Sequence, residues 1–277
     1  MFVTREGNER EEGVKLAAAE PKQRTVRDWE SFRESWDGVH NFLLAGECLP
    51  FAYEMPPVER IVDVLRRDEE AHIVSGARGD RLDQTDVAAW FRSLPIEEAV
   101  RAPFALAHYK LAKHFGTGGL LEGFGELVLE PWQQALRAAG FAWTRCYPIV
   151  FISGPNRATN YHLDYSHVLA WQVYGTKRFV GLKDPDRWSP LATRIHSRGV
   201  QRPEQLAEED ELAYDMPPGT ALWNAFLTPH WVEATDRIAV SVNLSHGGLR
   251  YQGKLCRHEE EVEDWQRQHP HEPKLLF

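Results

Sequence analysis

The alternation of apolar and polar positions changes character near Phe141. Between Val26 and about Gly140 apolar residues recur mostly at helical spacing. Val58, Ile61, Val62 and Leu65 follow Pro57 and predict a helix with proline in its first turn. Asp83–Leu94 predicts a second helix, with Asp83 or Thr85 as N-cap and Val87, Trp90, Phe91 and Leu94 on one face. Trp132–Ala139 predicts a third, ended by Gly140. From Phe141 to about Leu249 the apolar runs are short and rich in Val, Ile, Trp, Tyr and Phe: Cys146–Ser153, Val168–Tyr174, Lys177–Leu182, Thr220–Trp223 and Ile238–Leu244. Glycine and proline separate them, and this spacing predicts an all-β barrel or sandwich. Tyr174-Gly175-Thr176-Lys177 reads as a hairpin turn. Pro217-Pro218-Gly219 reads as a turn before a strand.

The ends are polar. Residues 1–25 are expected to form a poorly ordered tail, and the chain becomes charged again after Tyr251, with Glu259–Gln268 as a short surface helix. The expected organisation is a polar tail (1–25), a mixed and mostly helical support (26–140), a β core (141–250) and a C-terminal tail (251–277).

Composition narrows the function. A formal net charge of -9 opposes a phosphate backbone, so direct nucleic-acid binding is not expected. Cys48, Cys146 and Cys256 are far apart and show no CxxC spacing, so neither a zinc motif nor a disulfide framework is indicated. The N-terminal residues lack the apolar core of a signal peptide, and no stretch approaches the roughly 18 apolar residues of a membrane span. A cytoplasmic protein without a membrane partner is the expectation. The ten tryptophans point to large aromatic surfaces around a core or a pocket.

The sharpest chemical signal is Asn160-Tyr161-His162-Leu163-Asp164. Residues two apart on a strand share a face, so His162 and Asp164 can point together into a barrel. A second imidazole from a distant strand would complete a two-histidine, one-carboxylate facial set, which suits iron(II) and leaves positions open for other ligands. His230, in Thr228-Pro229-His230-Trp231 and 68 residues beyond His162, is the expected third ligand. His167 and His246 are the rivals. His167 is odd-spaced from His162 and should face away, while His246 could reach the same barrel end. HxD alone is a weak signal; its β-rich surroundings and the run from the Pro-Pro-Gly turn to Pro-His-Trp give it weight.

These residues resemble the cupin-like JmjC family of iron(II)/2-oxoglutarate oxygenases. The resemblance runs from about Tyr109 to Asn243 and is clearest over Thr159–Leu182 and Pro217–Asn243. It implies a double-stranded β-helix, of cupin or jelly-roll type, with a helical N-terminal support and a short helical C-terminal tail. The twelve residues between Asp164 and Lys177-Arg178-Phe179 resemble the hydroxylase branch. There Lys177 would hold the distal carboxylate of 2-oxoglutarate, with Thr159, Asn243 and Tyr109 as further cosubstrate contacts. Asp164 likewise fits that branch, where many histone demethylases carry glutamate. Leu244-Ser245-His246 lacks the aromatic often found after the asparagine, so substrate identity does not transfer. A competing anchor is Arg237, which shares a face with Ala239, Ser241 and Asn243 if the strand is regular, while Ile238, Val240, Val242 and Leu244 form a packing face. The aromatic set Tyr161, Tyr165, Trp171, Tyr174, Trp223 and Trp231 could line a pocket, though such residues are more often core.

The resemblance implies a dioxygenase that consumes 2-oxoglutarate and O2 on iron(II) and hydroxylates an amino-acid side chain in a protein, a peptide or a small molecule. Many relatives are dimers, so a homodimer is a further expectation. Two alternatives stay open. One is a metal cupin enzyme that does not use 2-oxoglutarate, such as an isomerase or ring-cleaving dioxygenase. The other is a non-catalytic cupin-like binding module.

Overall fold

A computed structural model describes residues 24–75, 84–157, 159–196 and 200–272. The expected tail up to residue 23 and the candidate cap Asp83 lie outside the described residues. In chain order the strands are β1 (Thr25–Val26), β2 (Phe42–Leu44), β3 (His72–Ser75), β4 (Phe104–His108), β5 (Phe141–Ala142), β6 (Arg145–Ser153), β7 (His167–Tyr174), β8 (Lys177–Leu182), β9 (Glu211–Met216), β10 (Ala221–Asn224), β11 (Trp231–Ala234), β12 (Ala239–Gly247), β13 (Arg250–Tyr251) and β14 (Lys254–Leu255). The α-helices are α1 (Trp29–Ser35), α2 (Val58–Arg67), α3 (Gln84–Ser93), α4 (Ile96–Ala99), α5 (Glu130–Ala138), α6 (Pro185–Trp188), α7 (Leu191–His196) and α8 (Arg257–Gln268).

Two sheets form the core. The larger contains the order β6-β12-β7-β10, and the smaller is β11-β8-β9, with every neighbouring pair antiparallel. A β-bridge between His162 and His230 adds the His162 segment to the outer side of β11. The chain therefore passes back and forth between the sheets: β6, the His162 segment, β7, β8 and β9, β10, β11, β12. That winding is a double-stranded β-helix. Strand β12 is its spine, pairing along nine residues with β6 and also with β7. Its alternation divides the core as the period-2 pattern requires. Val240, Val242 and Leu244 are buried among apolar residues, while Ser241, Asn243 and Ser245 line a cavity between the sheets.

The region before Phe141 carries helices α1–α5 together with strands. It supplies four strands, extending the larger sheet to eight in the order β1-β2-β10-β7-β12-β6-β4-β3. Phe104–His108 is a short apolar run with strict buried–intermediate alternation, and only pairing with β6 makes it a strand. The predicted helices are present as α2, α3 and α5. Ile61, Val62 and Leu65 of α2 and Trp132 and Leu136 of α5 are buried, and Gly140 follows α5 with φ +92°. In α3, Phe91 is buried but Trp90, expected on the same face, is 46% exposed. Helix α8 starts at Arg257, earlier than expected, and buries His258, Glu259 and Val262.

Tyr174–Lys177 is not a hairpin. Strand β7 pairs with β12 and β10, whereas β8 pairs with β11 and β9, so this turn is a corner between sheets. Gly175 makes the corner feasible. It has φ +61°, and a Cβ there would sit 2.2 Å from the Ile238 carbonyl oxygen. Phe32 packs edge-on and Trp132 tilted against Trp223, tying the support helices to β10. None of the six aromatic residues considered for a pocket lines the cavity; Trp223 and Trp231 are fully packed, as core residues are.

Candidate metal and cosubstrate site

The bridge that joins the His162 segment to β11 also builds the site. His162 and His230 exchange both main-chain hydrogen bonds, at 2.9 and 3.0 Å, and their rings lie 4.1 Å apart. Such a mutually bonded antiparallel pair presents both side chains on one face. Asp164, two residues on, joins them. His162 Nε2 is 3.8 Å from its Oδ1, and His230 Nε2 is 3.5 Å from its Oδ2.

The hydrogen bonds of the two rings set their tautomers. His162 Nδ1 is 2.7 Å from the Asn160 carbonyl and His230 Nδ1 is 2.9 Å from the Thr228 carbonyl. A carbonyl only accepts, so each Nδ1 carries the proton and each Nε2 keeps a lone pair facing Asp164. Burial, followed by the neighbouring His162, lowers the His230 pKa to about 4 and keeps the ring neutral. Phe179 stacks on His230 with ring centroids 4.8 Å apart and fixes its plane.

Two other groups of potential ligands lack this arrangement. At Asp68, His108 and His114, the Lys110 N–H donates to His108 Nδ1, which leaves the proton on Nε2, 2.9 Å from Asp68. The Lys113 ammonium already sits 2.7 Å from the same carboxylate. At His167, Cys256 and Glu259, the Phe226 N–H donates to His167 Nδ1, which again protonates Nε2. His246, the other rival, accepts the Trp132 indole N–H at 2.8 Å through Nε2. His167 and His246 are thus buried hydrogen-bonding residues of the aromatic core. Of the three groups found among the described residues, only His162, Asp164 and His230 offer two free imidazole lone pairs and a carboxylate together.

The three residues open on a cavity of about 600 Å³ between the sheets. Lys177, first residue of β8, points into it and is 5% exposed. Among the described residues its Nζ reaches only uncharged acceptors, the Phe151 carbonyl at 3.3 Å and Ser241 Oγ at 3.2 Å. Burial lowers its pKa to about 7. Asn243 also lines the cavity, with a buried Oδ1 that has no hydrogen-bond partner among the described residues. Thr159 lies at the edge, where its Oγ1 accepts the Val232 N–H at 2.8 Å. Tyr109 stands at the mouth, 42% exposed, and burial of part of its ring raises its pKa. Arg237 does not line the cavity. Strand β12 begins at Ala239, so the regular strand that would have turned Arg237 inward does not extend that far, and the side chain is exposed.

Sequence reasoning missed Asn224. Its Nδ2 donates to Asp164 Oδ2 at 2.8 Å, and the residue is 1% exposed. The available signal was a lone polar residue in the apolar run Ala221–Leu227. It also missed Ser241, whose hydroxyl meets Lys177, and the cavity wall supplied by β3 and β4 through His72, Val74, Ala105 and Ala107.

No family model and no curated protein matches the chain. Among solved structures it is similar to YcfD, a ribosomal oxygenase from Escherichia coli, at 15% identity over 89% of this chain and 57% of that one, with a TM-score of 0.49. A YcfD structure in complex with cobalt and 2-oxoglutarate is similar at 16% identity over 90% of this chain and 58% of that one, TM-score 0.46. A Lactobacillus farciminis oxalate decarboxylase matches 36% of this chain and 23% of its own, at 14% identity and TM-score 0.25. The chain spans a little under three-fifths of the length of the YcfD chains. Among the described residues no helix is long and apolar enough to cross a membrane.

Proposed function

We propose that the protein is an iron(II)- and 2-oxoglutarate-dependent oxygenase that hydroxylates an amino-acid side chain in a protein, a peptide or a small molecule. One observation carries this proposal: two imidazole lone pairs and a carboxylate converge on a cavity that also holds a buried lysine, which has no counter-charge among the described residues. His162, Asp164 and His230 fit iron(II) by donor type and by tautomer. Bound iron would supply oxygen activation coupled to oxidative decarboxylation of the cosubstrate. Lys177, with Ser241, Asn243 and Thr159 nearby, would receive its distal carboxylate. A buried ammonium with only neutral partners is costly, and a carboxylate relieves that cost. Tyr109 would contact the cosubstrate or the substrate from the mouth. The catalytic core is assigned to residues 141–250, with 26–140 as its support.

Lys177 disfavours both alternatives, because a metal cupin without 2-oxoglutarate, or a binding module, has no use for a buried unpaired ammonium beside a ligand set. Anaerobic titration of 2-oxoglutarate into the iron(II)-loaded protein tests the proposal. A weak visible charge-transfer band should grow and saturate, and air should then release succinate. Iron uptake with neither band nor succinate would refute it in favour of a metal cupin of another kind.

A further inference from the structure

A carboxylate can bind a metal through one oxygen or through both, and a hydrogen bond to one of them favours the first arrangement. In this chain the end of β10 and its connection to β11 grip Asp164 twice. The Leu227 N–H donates to the Asp164 main-chain carbonyl at 3.0 Å, and Asn224 Nδ2 donates to Asp164 Oδ2 at 2.8 Å. The connection is itself held in shape. Leu227 is fully buried with φ +55°, a conformation that L residues other than glycine rarely adopt, and Arg194 donates to its carbonyl at 3.0 Å. The same connection ends at His230, bonded to His162 through both main-chain groups.

Resting on the metal-site proposal above, we propose that Asn224 is a positioning residue that makes Asp164 a one-oxygen ligand. Its amide occupies Oδ2 and leaves Oδ1, 3.8 Å from His162 Nε2, for the metal. An uncharged amide suits this task. A lysine on the same oxygen would hold the carboxylate but also occupy the cation's place electrostatically, as Lys113 does at Asp68. An apolar residue would leave Oδ2 free to join the metal or to turn away. The amide orientation follows from the carboxylate. Nδ2 must face Asp164, so Oδ1 of Asn224 faces the interior, where it is buried without a partner among the described residues.

Cobalt(II) alone, titrated into the metal-free 277-residue chain and followed by its visible d–d bands, tests the assignment without any turnover. Asn224→Leu, close in size but with no donor, should weaken cobalt binding roughly 10- to 100-fold, the range typical for lost partners of metal ligands. The d–d intensity should change as well, because a carboxylate free to bind through both oxygens alters the coordination number. The melting temperature of the metal-free protein should stay near that of wild type. Asn224→Ala serves if the leucine does not pack. Wild-type affinity and spectrum in these variants would overturn the inference. So would loss of the metal-free fold in both, since Asn224 would then be structural. His162→Ala and His230→Ala, run in parallel, separate the two levels. If they bind cobalt as wild type does, the metal-site proposal itself fails. If they lose cobalt while Asn224→Leu keeps it, only the role of Asn224 fails.

Discussion

Replacing Lys177 separates its cost to the fold from its value to the cosubstrate. In the free protein this ammonium is 5% exposed and among the described residues meets a carbonyl and a hydroxyl, and its pKa falls to about 7. An unfolded lysine titrates near 10.4. Between these values the unfolded chain binds more protons than the folded one, so this group makes stability rise with pH. Below pH 7 its whole penalty is present, on the order of a few kcal/mol. Lys177→Met, which keeps the volume and removes the charge, should therefore stabilise the cosubstrate-free fold at pH 7 and flatten the rise in stability between pH 7 and 10. Urea unfolding across that range reads this out. The same variant should lose 2-oxoglutarate. Leaving one member of a buried charged pair alone costs roughly 3–5 kcal/mol, or roughly two to three and a half orders of magnitude in affinity at about 1.4 kcal/mol per factor of ten. Wild-type affinity should fall about tenfold per pH unit above 7, because the bound form takes up a proton that the free lysine has lost. Calorimetry in buffers of different ionisation enthalpy should find about one proton taken up at pH 8–9 in wild type and none in Lys177→Met. A variant that is less stable than wild type at pH 7, or that binds 2-oxoglutarate equally well with the same proton uptake, would refute the reasoning.

His162→Ala, Asp164→Ala and His230→Ala should each abolish stoichiometric iron(II) binding, measured by metal analysis after desalting, while the metal-free protein keeps its circular dichroism. His246→Ala should do the reverse. Iron is retained, but Trp132 loses the acceptor of its indole N–H and a cavity opens, so stability to urea should drop by roughly 2–4 kcal/mol. Arg237→Ala should leave the 2-oxoglutarate dependence of uncoupled succinate release unchanged, because the side chain is exposed outside the cavity; a large rise in the requirement would return the anchor to Arg237. Gly175→Ala should cost about 2 kcal/mol or more in urea unfolding, since a Cβ meets the Ile238 carbonyl in a left-handed turn.

The sequence alone determined whatever depends on neighbours along the chain. The period of two separated Ser241 and Asn243 from Val240, Val242 and Leu244, because adjacent side chains of a strand take opposite faces whatever the strand pairs with. His162, by contrast, pairs only through an isolated bridge and Asp164 lies in no strand, so the expected strand period does not account for their meeting. Proline and glycine marked the corners for equally local reasons. Which strands those corners connect was not local. Tyr174–Lys177 has the composition of a hairpin, yet its two strands join different sheets, because β12 and β10 take the edges of β7 and β11 and β9 take those of β8. Tertiary pairing likewise turned Phe104–His108 and His72–Ser75 into strands and made them a wall of the cavity. The choice among histidines was also made in three dimensions. Whether Nε2 is a lone pair or an N–H depends on what faces Nδ1. For His162 and His230 that is the carbonyl two residues back; for His167 it is an amide nearly sixty residues away. Asn224 next to Asp164 is a contact of the same long-range kind, across sixty residues, so no local period could have paired them.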